Sequence, residues 1–219
     1  MTAYTIGRVG IGMIKSAGVE RTKAIWYGGM VGAFYQTTIE ILDGFSSQWG
    51  FSIGDFTANT VGSGLLIAQE LAWKQQRIVF KYSFHQTKYP PYRPNLLGSS
   101  FYENLLKDYN GQTYWLSVNP YSFMSKDSKF PKWLNIAIGY GAEGMTGART
   151  NPIYMDGNGN QISFERYRQF YLSLDADLTK IKTNSKFLKT IFMAVGAVKI
   201  PAPALEFNKY GVKGNWIGF

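Results

Sequence analysis

Five polar side chains recur at helical spacing in two apolar segments, and their types suit acid/base or metal chemistry. Gln36 precedes Glu40 by four residues, and Asp43 follows Glu40 by three. Asp55 and Asn59 repeat the four-residue spacing. Because residues three or four apart share a helix face, a carboxylate there must find a partner or lose its charge. Paired carboxylates or a small metal site would be the functional interpretation.

A structural interpretation of the same side chains is favoured. Ser52 and Asp55 fit the Ser-x-x-Asp form of a capping box, which marks the start of a helix. No histidine lies close in the sequence and no residue there is an obvious nucleophile, so catalysis has little to build on. We therefore predict no catalytic residue, metal ligand or cofactor. The predicted hydrogen-bond network that locks a helical hairpin consists of Gln36, Glu40, Asp43, Ser52, Asp55 and Asn59.

The single histidine is the other candidate for catalysis. His85 could act as a base with Ser83, Ser99 or Asp108, but no Gly-x-Ser-x-Gly element supports a nucleophilic serine. A structural histidine in an aromatic loop is the better interpretation. The absence of cysteine excludes a disulfide framework, a thiol nucleophile and a cysteine zinc site.

One loop begins like a calcium-binding loop. Residues 156–160 read Asp-Gly-Asn-Gly-Asn, but Gln161 stands where the sharp-turn glycine belongs and Tyr167 where the bidentate glutamate belongs. We predict a hairpin loop there and no calcium site.

Charge divides the 219-residue chain near residue 76. Residues 1–75 have a net charge of zero, and residues 76–219 hold the whole net charge of +9 together with twelve of the 15 tyrosines. A basic, tyrosine-rich half can meet nucleic acid, anionic lipid or an acidic protein surface. Its basic residues are scattered and no nucleic-acid-binding motif appears, so nucleic acid is not expected as a partner.

The neutral part predicts closely packed helices. Segments 22–42 and 53–73 carry small residues four apart, a spacing that lets helices approach closely. A turn over 43–50 makes the two segments a helical hairpin, preceded by a short helix over 5–18. No apolar run reaches the length of a transmembrane helix. The predicted packing residues are Ala24, Gly28, Gly32, Ala58 and Gly62.

The basic part predicts antiparallel strands. Apolar and polar residues alternate in several segments, which is typical of strands: 76–84, 112–119, 134–141 and 163–177. Segment 134–144 also fits an outer-membrane strand, but only five or six strands can be drawn. We therefore predict an α+β fold in which the hairpin (1–75) packs against an antiparallel sheet (76–219) as one co-folded unit.

A short basic helix is predicted over 184–198, within a region (178–205) that holds no acidic residue. Two interpretations stay open: an anchor on a membrane surface or anionic partner, or an ordinary helix that covers the sheet. The candidate contact residues are Lys182, Lys186, Lys189, Phe187 and Phe192.

Three stretches of the helical part carry a family resemblance. Residues 40–50 (EILDGFSSQWG), 54–62 (GDFTANTVG) and 69–73 (QELAW) resemble the YfiM-like family, a domain of unknown function described as predicted periplasmic lipoproteins. Residues 107–115, 171–175 and 201–203 resemble its longer, Bacteroidetes-type members. The family's Asp-Lys-x-x-His element and lipobox cysteine do not appear, so we expect the natural N-terminus to lie upstream of Met1.

The resemblance implies a protein on the periplasmic side of the outer membrane. Longer members are linked to the translocon of the type IX secretion system, where one closes the periplasmic opening of a large outer-membrane β-barrel channel. It thus implies a non-enzymatic plug subunit with the channel as partner and possible contact with anionic lipid. The alternative is a membrane-surface hydrolase or lipid-handling protein that uses Glu40, Asp43, Asp55 and His85.

Overall fold

The structure is a computed structural model that describes residues 1–46, 50–147, 150–155 and 157–218, without the side chains of Lys186, Thr190 and Ala194. It divides into two compact units, Met1–Phe80 and Lys81–Phe219. Each unit has its own architecture. The predicted α+β class is confirmed, with helices first and an antiparallel sheet second.

The first unit consists of three helices. They are α1 (Thr2–Ser16), α2 (Arg21–Gly44) and α3 (Ile53–Trp73). Their shared core contains Tyr4, Ile11, Ile25, Leu66 and Ile67, with Val79 from the following strand. Lys74 ends α3 in the left-handed conformation (φ 58°). Within the described ranges, no helix combines the length and apolar character needed to cross a bilayer.

The second unit is built on a six-stranded sheet in the order β1-β2-β3-β6-β7-β8. Its strands are β1 (Ile78–Phe84), β2 (Gln112–Val118), β3 (Leu134–Glu143), β6 (Tyr167–Ala176), β7 (Ala202–Asn208) and β8 (Gly211–Gly218). A separate hairpin pairs β4 (Tyr154–Met155) with β5 (Gln161–Ile162). The connections contain α4 (Pro94–Leu97), α5 (Phe101–Lys107) and α6 (Lys186–Val195).

The sheet is strongly curved. Lys81 on β1 contacts Asp175 on β6 with 2.7 Å between Nζ and Oδ2, although β2 and β3 lie between their strands. Neighbouring strands are about 4.8 Å apart, so three steps of a flat sheet would separate the two backbones by about 14 Å. We call the concave side that holds this pair the inner face and the convex side the outer face.

Most predicted elements exist, with shifted bounds. The predicted helix over 184–198 is α6, which is shorter at both ends. The predicted hairpin loop joins β4 and β5, although Asp156 lies outside the described residues. The turn between α2 and α3 is described only in part, since Ser47, Gln48 and Trp49 also lie outside them. Strands β7 and β8 lie outside the predicted strand segments.

Candidate docking surfaces

Close packing in the helical unit joins α2 to α1. A Cβ on Gly28 would overlap the backbone of Ile11, and one on Gly32 would overlap that of Ala3. Gly7 and Gly10 on α1 approach the backbone of α2 in the same way. Because only glycine leaves room for this approach, the first helix is locked onto the second. The sequence pattern on α2 marked the contact but not its partner helix.

The other predicted packing residues divide between core and surface. Ala24 is fully buried in α2. Gly62 on α3 faces Tyr4, whose nearest atoms lie 3.7 Å from the position that a Cβ on Gly62 would take. Ala58 is exposed, which corrects the prediction that it packs. Its neighbour Asn59 takes the buried position in this turn, since α3 turns a different face to the core here.

Glu40 holds the start of α3. Its buried carboxylate accepts a hydrogen bond from the backbone N–H of Ser52 at 3.1 Å, while Ser52 Oγ accepts one from the backbone N–H of Asp55 at 3.2 Å. The predicted cap by Ser52 therefore exists, but Glu40 replaces Asp55 as the acceptor for the N–H of Ser52. Asp55 itself is exposed. The carboxylate of α2 thus fastens the two helices together.

The remaining members of the predicted network lie apart from this contact. Gln36 and Asp43 are half-buried, and the backbone carbonyl of Asp43 accepts hydrogen bonds from Ser46 and Gly50. Among the described residues, no three acidic or histidine side chains are grouped closely enough to hold a metal ion. Glu40 and the backbone of Asp43 therefore stabilise the connection between α2 and α3.

A second polar network in this unit was not predicted. Glu70 accepts hydrogen bonds from Lys15 (2.9 Å) and Gln76 (3.1 Å), and Gln69 caps the start of β1 by accepting from the backbone of Arg77 and Ile78. Burial alone would raise the pKa of Glu70, but the hydrogen bonds and the nearby cations outweigh it and lower that pKa. The contact of Lys15 with Glu70 joins residues that are far apart in sequence, so only the fold reveals the network.

His85 lies on the surface of the second unit, and its proposed partners bond other residues. Its side chain is exposed, and its backbone N–H donates to Gly111 at 3.0 Å. The proposed partners have other tasks: Ser83 Oγ accepts from the indole N–H of Trp115 (2.8 Å), and Asp108 accepts from Thr87 (2.5 Å). Ser99 donates to Glu103. Each supports a loop or the inner face.

The inner face is polar although it is buried. Asp175 is fully buried and bonds both Lys81 and Ser117, whose hydroxyl lies at 2.5 Å. Asn135 donates to Ser117 (2.8 Å) and accepts from Asn119 (2.7 Å). A buried charge pair is tolerated when further hydrogen bonds satisfy its atoms, as they do here. The inner face is therefore a closed hydrogen-bond network across four strands.

A connection crosses the inner face and adds a second cation. Lys199 donates to the carbonyls of Leu174 (2.9 Å) and Ile200 (2.8 Å), and its ammonium lies 4.9 Å from the ring centre of Trp115. Burial lowers the pKa of Lys199 to about 8, and the charge of Asp175 opposes that shift. Next to it, Ala197 and Lys199 exchange backbone hydrogen bonds with Tyr82 on β1.

The outer face is apolar and exposed. Most large apolar side chains of the central strands turn outward and most polar ones turn inward, which reverses the usual arrangement of a water-soluble sheet. Trp115 and Tyr171 are the exceptions, since both are buried on the inner face. A cavity of about 530 Å³ on this face is bordered by Leu172, Leu174, Leu205 and Trp216. The exposed large apolar residues that point outward from β2, β3, β6 and β7 are Tyr114, Leu116, Ile136, Ile138, Tyr140, Phe170, Leu172, Leu174, Leu205 and Phe207.

The helical unit has an apolar surface of its own. A groove of about 640 Å³ runs between α2 and α3, and Trp26, Met30 and Phe34 line it from α2. Phe56 and Leu71 line it from α3. Phe34 is 77% exposed, which is unusual for a large aromatic side chain. We call this surface the α2–α3 groove.

The candidate contact residues of the basic helix are placed at its start and along its length. Lys182, Phe187 and Lys189 are exposed, whereas Phe192 is half-buried. The side chain of Lys186 lies outside the described residues. Ser185 caps the helix by accepting from the backbone N–H of Leu188 at 3.3 Å.

Comparisons with known proteins concern only the helical unit. A family model described as predicted periplasmic lipoprotein (DUF2279) matches residues 1–69, which contain α1, α2 and most of α3. The match supports a periplasmic, membrane-associated location. No curated protein and no solved structure matches the chain.

Proposed function

We propose that this protein is a non-enzymatic, periplasm-facing subunit that binds a large outer-membrane channel protein and closes its periplasmic opening in type IX protein secretion. The observation that carries the proposal is the α2–α3 groove. It lies in the part of the chain that matches the periplasmic family, and its large side chains are exposed to water.

The groove has the form of a protein-binding site. Aromatic side chains line it from both helices and Met30 lines it from α2, and such residues are enriched in the centres of interfaces. Two parallel walls of this kind suit an apolar helix or an extended segment laid between them.

The roles of the polar residues support a binding function rather than a reaction. Glu40 fastens α2 to the start of α3, and Glu70 connects α1, α3 and the chain beyond α3. Asp175 is paired with Lys81 in the inner face. Each of these buried carboxylates is engaged by the fold, whereas an acid/base catalyst must be free to meet a substrate.

The test is recovery of the partner from outer membranes with a groove variant and a matched control. Phe34→Glu places a charge in the groove, whereas Tyr27→Glu places one on the same helix at a side chain that is 66% exposed and does not line the groove. Affinity purification after mild detergent extraction should recover a large channel protein with wild type and Tyr27→Glu, but not with Phe34→Glu. Recovery of the wild-type chain alone would refute the proposal.

A further inference from the structure

The outer face forms an ordered apolar band. Its strand register aligns Leu116, Ile138, Leu172 and Leu205 in one row across four strands. The neighbouring row consists of Val118, Ile136 and Leu174, and it lies nearer the end of the sheet where β2 ends and β3 begins. Across β3 and β6 these rows contain no polar side chain, whereas protein interfaces generally make a hydrogen bond for about every 100–200 Å².

Aromatic side chains border the band on its other side. Tyr114, Tyr140, Phe170 and Phe207 align in one row, and the ring centres of Tyr140 and Phe170 are 5.5 Å apart. Further along β6 comes Arg168, opposite Ala142. An apolar band that ends in aromatic rings and then in charge is typical of sheet surfaces that meet lipid.

Strand length agrees with this pattern. Strands β3 and β6 have ten residues each, and tilted strands of about 9–11 residues match the thickness of a bilayer's hydrocarbon core. Asn135 on β3 and Asp175 on β6 bond partners on β1 and β2 at the inner face, so they do not need water. Hydrocarbon on the outer side would leave that network intact.

Positive charge gathers at one end of the sheet. The connections 119–133 and 177–201 both leave from the end that carries Val118, Leu134 and Ala176. None of the ion pairs found among the described residues uses the exposed lysines of these connections. They are Lys126, Lys129, Lys132, Lys182 and Lys189. Such a cluster complements anionic lipid headgroups.

From these observations we propose that the outer face of the sheet lies against the acyl chains of a phospholipid bilayer, with the lysine-rich end at anionic headgroups. This inference is independent of the channel-binding function, since it concerns the sheet and not the α2–α3 groove. A second protein on the same face is the competing occupant, and it is an outcome of the test.

The test uses the absence of cysteine from the chain, which makes single-cysteine labelling straightforward. Ile138→Cys places a polarity-sensitive fluorophore in the centre of the band. Ile153→Cys is the control, because Ile153 has similar exposure (63% against 56%) but lies in the connection beyond the other end of β3. Circular dichroism checks that both labelled variants keep the fold of the full chain.

Both variants are added to vesicles of phosphatidylcholine and phosphatidylglycerol that contain no channel protein. We expect the label at residue 138 to shift its emission to the blue, to be quenched by doxyl groups on acyl chains and to lose quenching by aqueous iodide. The label at residue 153 should keep iodide quenching. Equal iodide quenching of both labels would favour a protein occupant and overturn the proposal. Equal doxyl quenching of both would overturn it as well, because it would show unspecific insertion.

Discussion

Burying the charged ammonium of Lys199 costs free energy, which makes this residue a test of the inner face. It lies in the inner face with Lys81 nearby, and it is 2% exposed. The carbonyls of Leu174 and Ile200 and the ring of Trp115 offset part of the cost of burying its ammonium. What remains of that cost should appear as a pH dependence of stability.

We predict that wild type gains stability relative to Lys199→Met as the pH rises from about 8 to about 10.5. Burial lowers the pKa of Lys199 from 10.5 to about 8, so in this window the unfolded state binds more protons than the folded state. The gain should be on the order of 2 kcal/mol, since one pKa unit is worth about 1.4 kcal/mol. Urea unfolding of both proteins without membranes across this range measures it.

Lys209→Met serves as a control of opposite sign. Lys209 is bonded to Glu165, and this hydrogen bond raises the pKa of Lys209. The contribution of that pair is therefore present at lower pH and is lost as the pH rises through the folded-state pKa. If the difference in unfolding free energy between wild type and Lys199→Met did not change with pH, the ammonium of Lys199 would be hydrated in the folded protein.

At the scale of elements, glycines decide how the helices meet. The backbones of α1 and α2 touch where Gly28 faces Ile11, so a methyl group cannot be added there without moving a helix. Gly64 on α3 offers the contrast: it is also inside a helix, but nothing lies within 4 Å of the position a Cβ would take. Substitutions at Gly28 therefore test helix packing, and substitutions at Gly64 test helix propensity.

We predict opposite effects for the two alanine substitutions. Gly28→Ala should destabilise the protein by about 1–3 kcal/mol, the usual cost of overpacking. Gly64→Ala should stabilise it by about 0.5–1 kcal/mol, because alanine loses less backbone entropy in a helix. Chemical denaturation of both variants measures the difference. Stabilisation by Gly28→Ala would mean that α1 does not lie against α2.

Local patterns revealed the elements but not their partners. Alternation predicted β3 and β6, and Ser-x-x-Asp predicted the start of α3, because both signals lie within a few residues. The meeting of Gly28 with α1, and of Lys81 with Asp175, depends on contacts between residues distant in sequence. A single sequence carries no record of such contacts.

The sequence predicts which residues share each face of the sheet, but not which of the two faces is buried. The alternation of Leu134, Ile136 and Ile138 with Asn135 and Ala137 is plain in the sequence. In a water-soluble sheet the apolar side would be the buried one. Here the polar side is buried, since Asp175, Lys81 and Asn135 are satisfied by hydrogen bonds across strands. That mutual satisfaction becomes visible only with the strand order.

For the whole molecule, the free edge of the sheet at β8 limits how the sheet can meet a membrane. Within the part of the chain that the structure describes, β8 pairs with β7 on one side and its second side carries no strand. Backbone groups at an open sheet edge have no water to bond inside hydrocarbon, so in vesicles of lipid alone this edge should stay at headgroup depth, where water reaches it. Strand addition by a neighbouring membrane protein would satisfy them. A sheet held in this way would tether the helical unit to the membrane that contains the proposed channel.

Charge should control how strongly the molecule binds a membrane. The triple variant Lys126→Gln, Lys129→Gln and Lys132→Gln removes three charges from the lysine-rich end, in the connection between β2 and β3. Each lysine near an anionic surface contributes about 1 kcal/mol, so affinity for phosphatidylglycerol vesicles should fall roughly a hundredfold. Co-sedimentation at low ionic strength measures it, and added salt should shrink the difference through screening.

The matched control removes the same number of charges elsewhere. Lys88→Gln, Lys107→Gln and Lys209→Gln lie in connections at the opposite end of the sheet. If the lysine-rich end faces the headgroups, this variant should bind vesicles nearly as well as wild type. Equal losses in the two triple variants would mean that net charge alone attracts the protein to the membrane, and the proposed orientation would then be wrong.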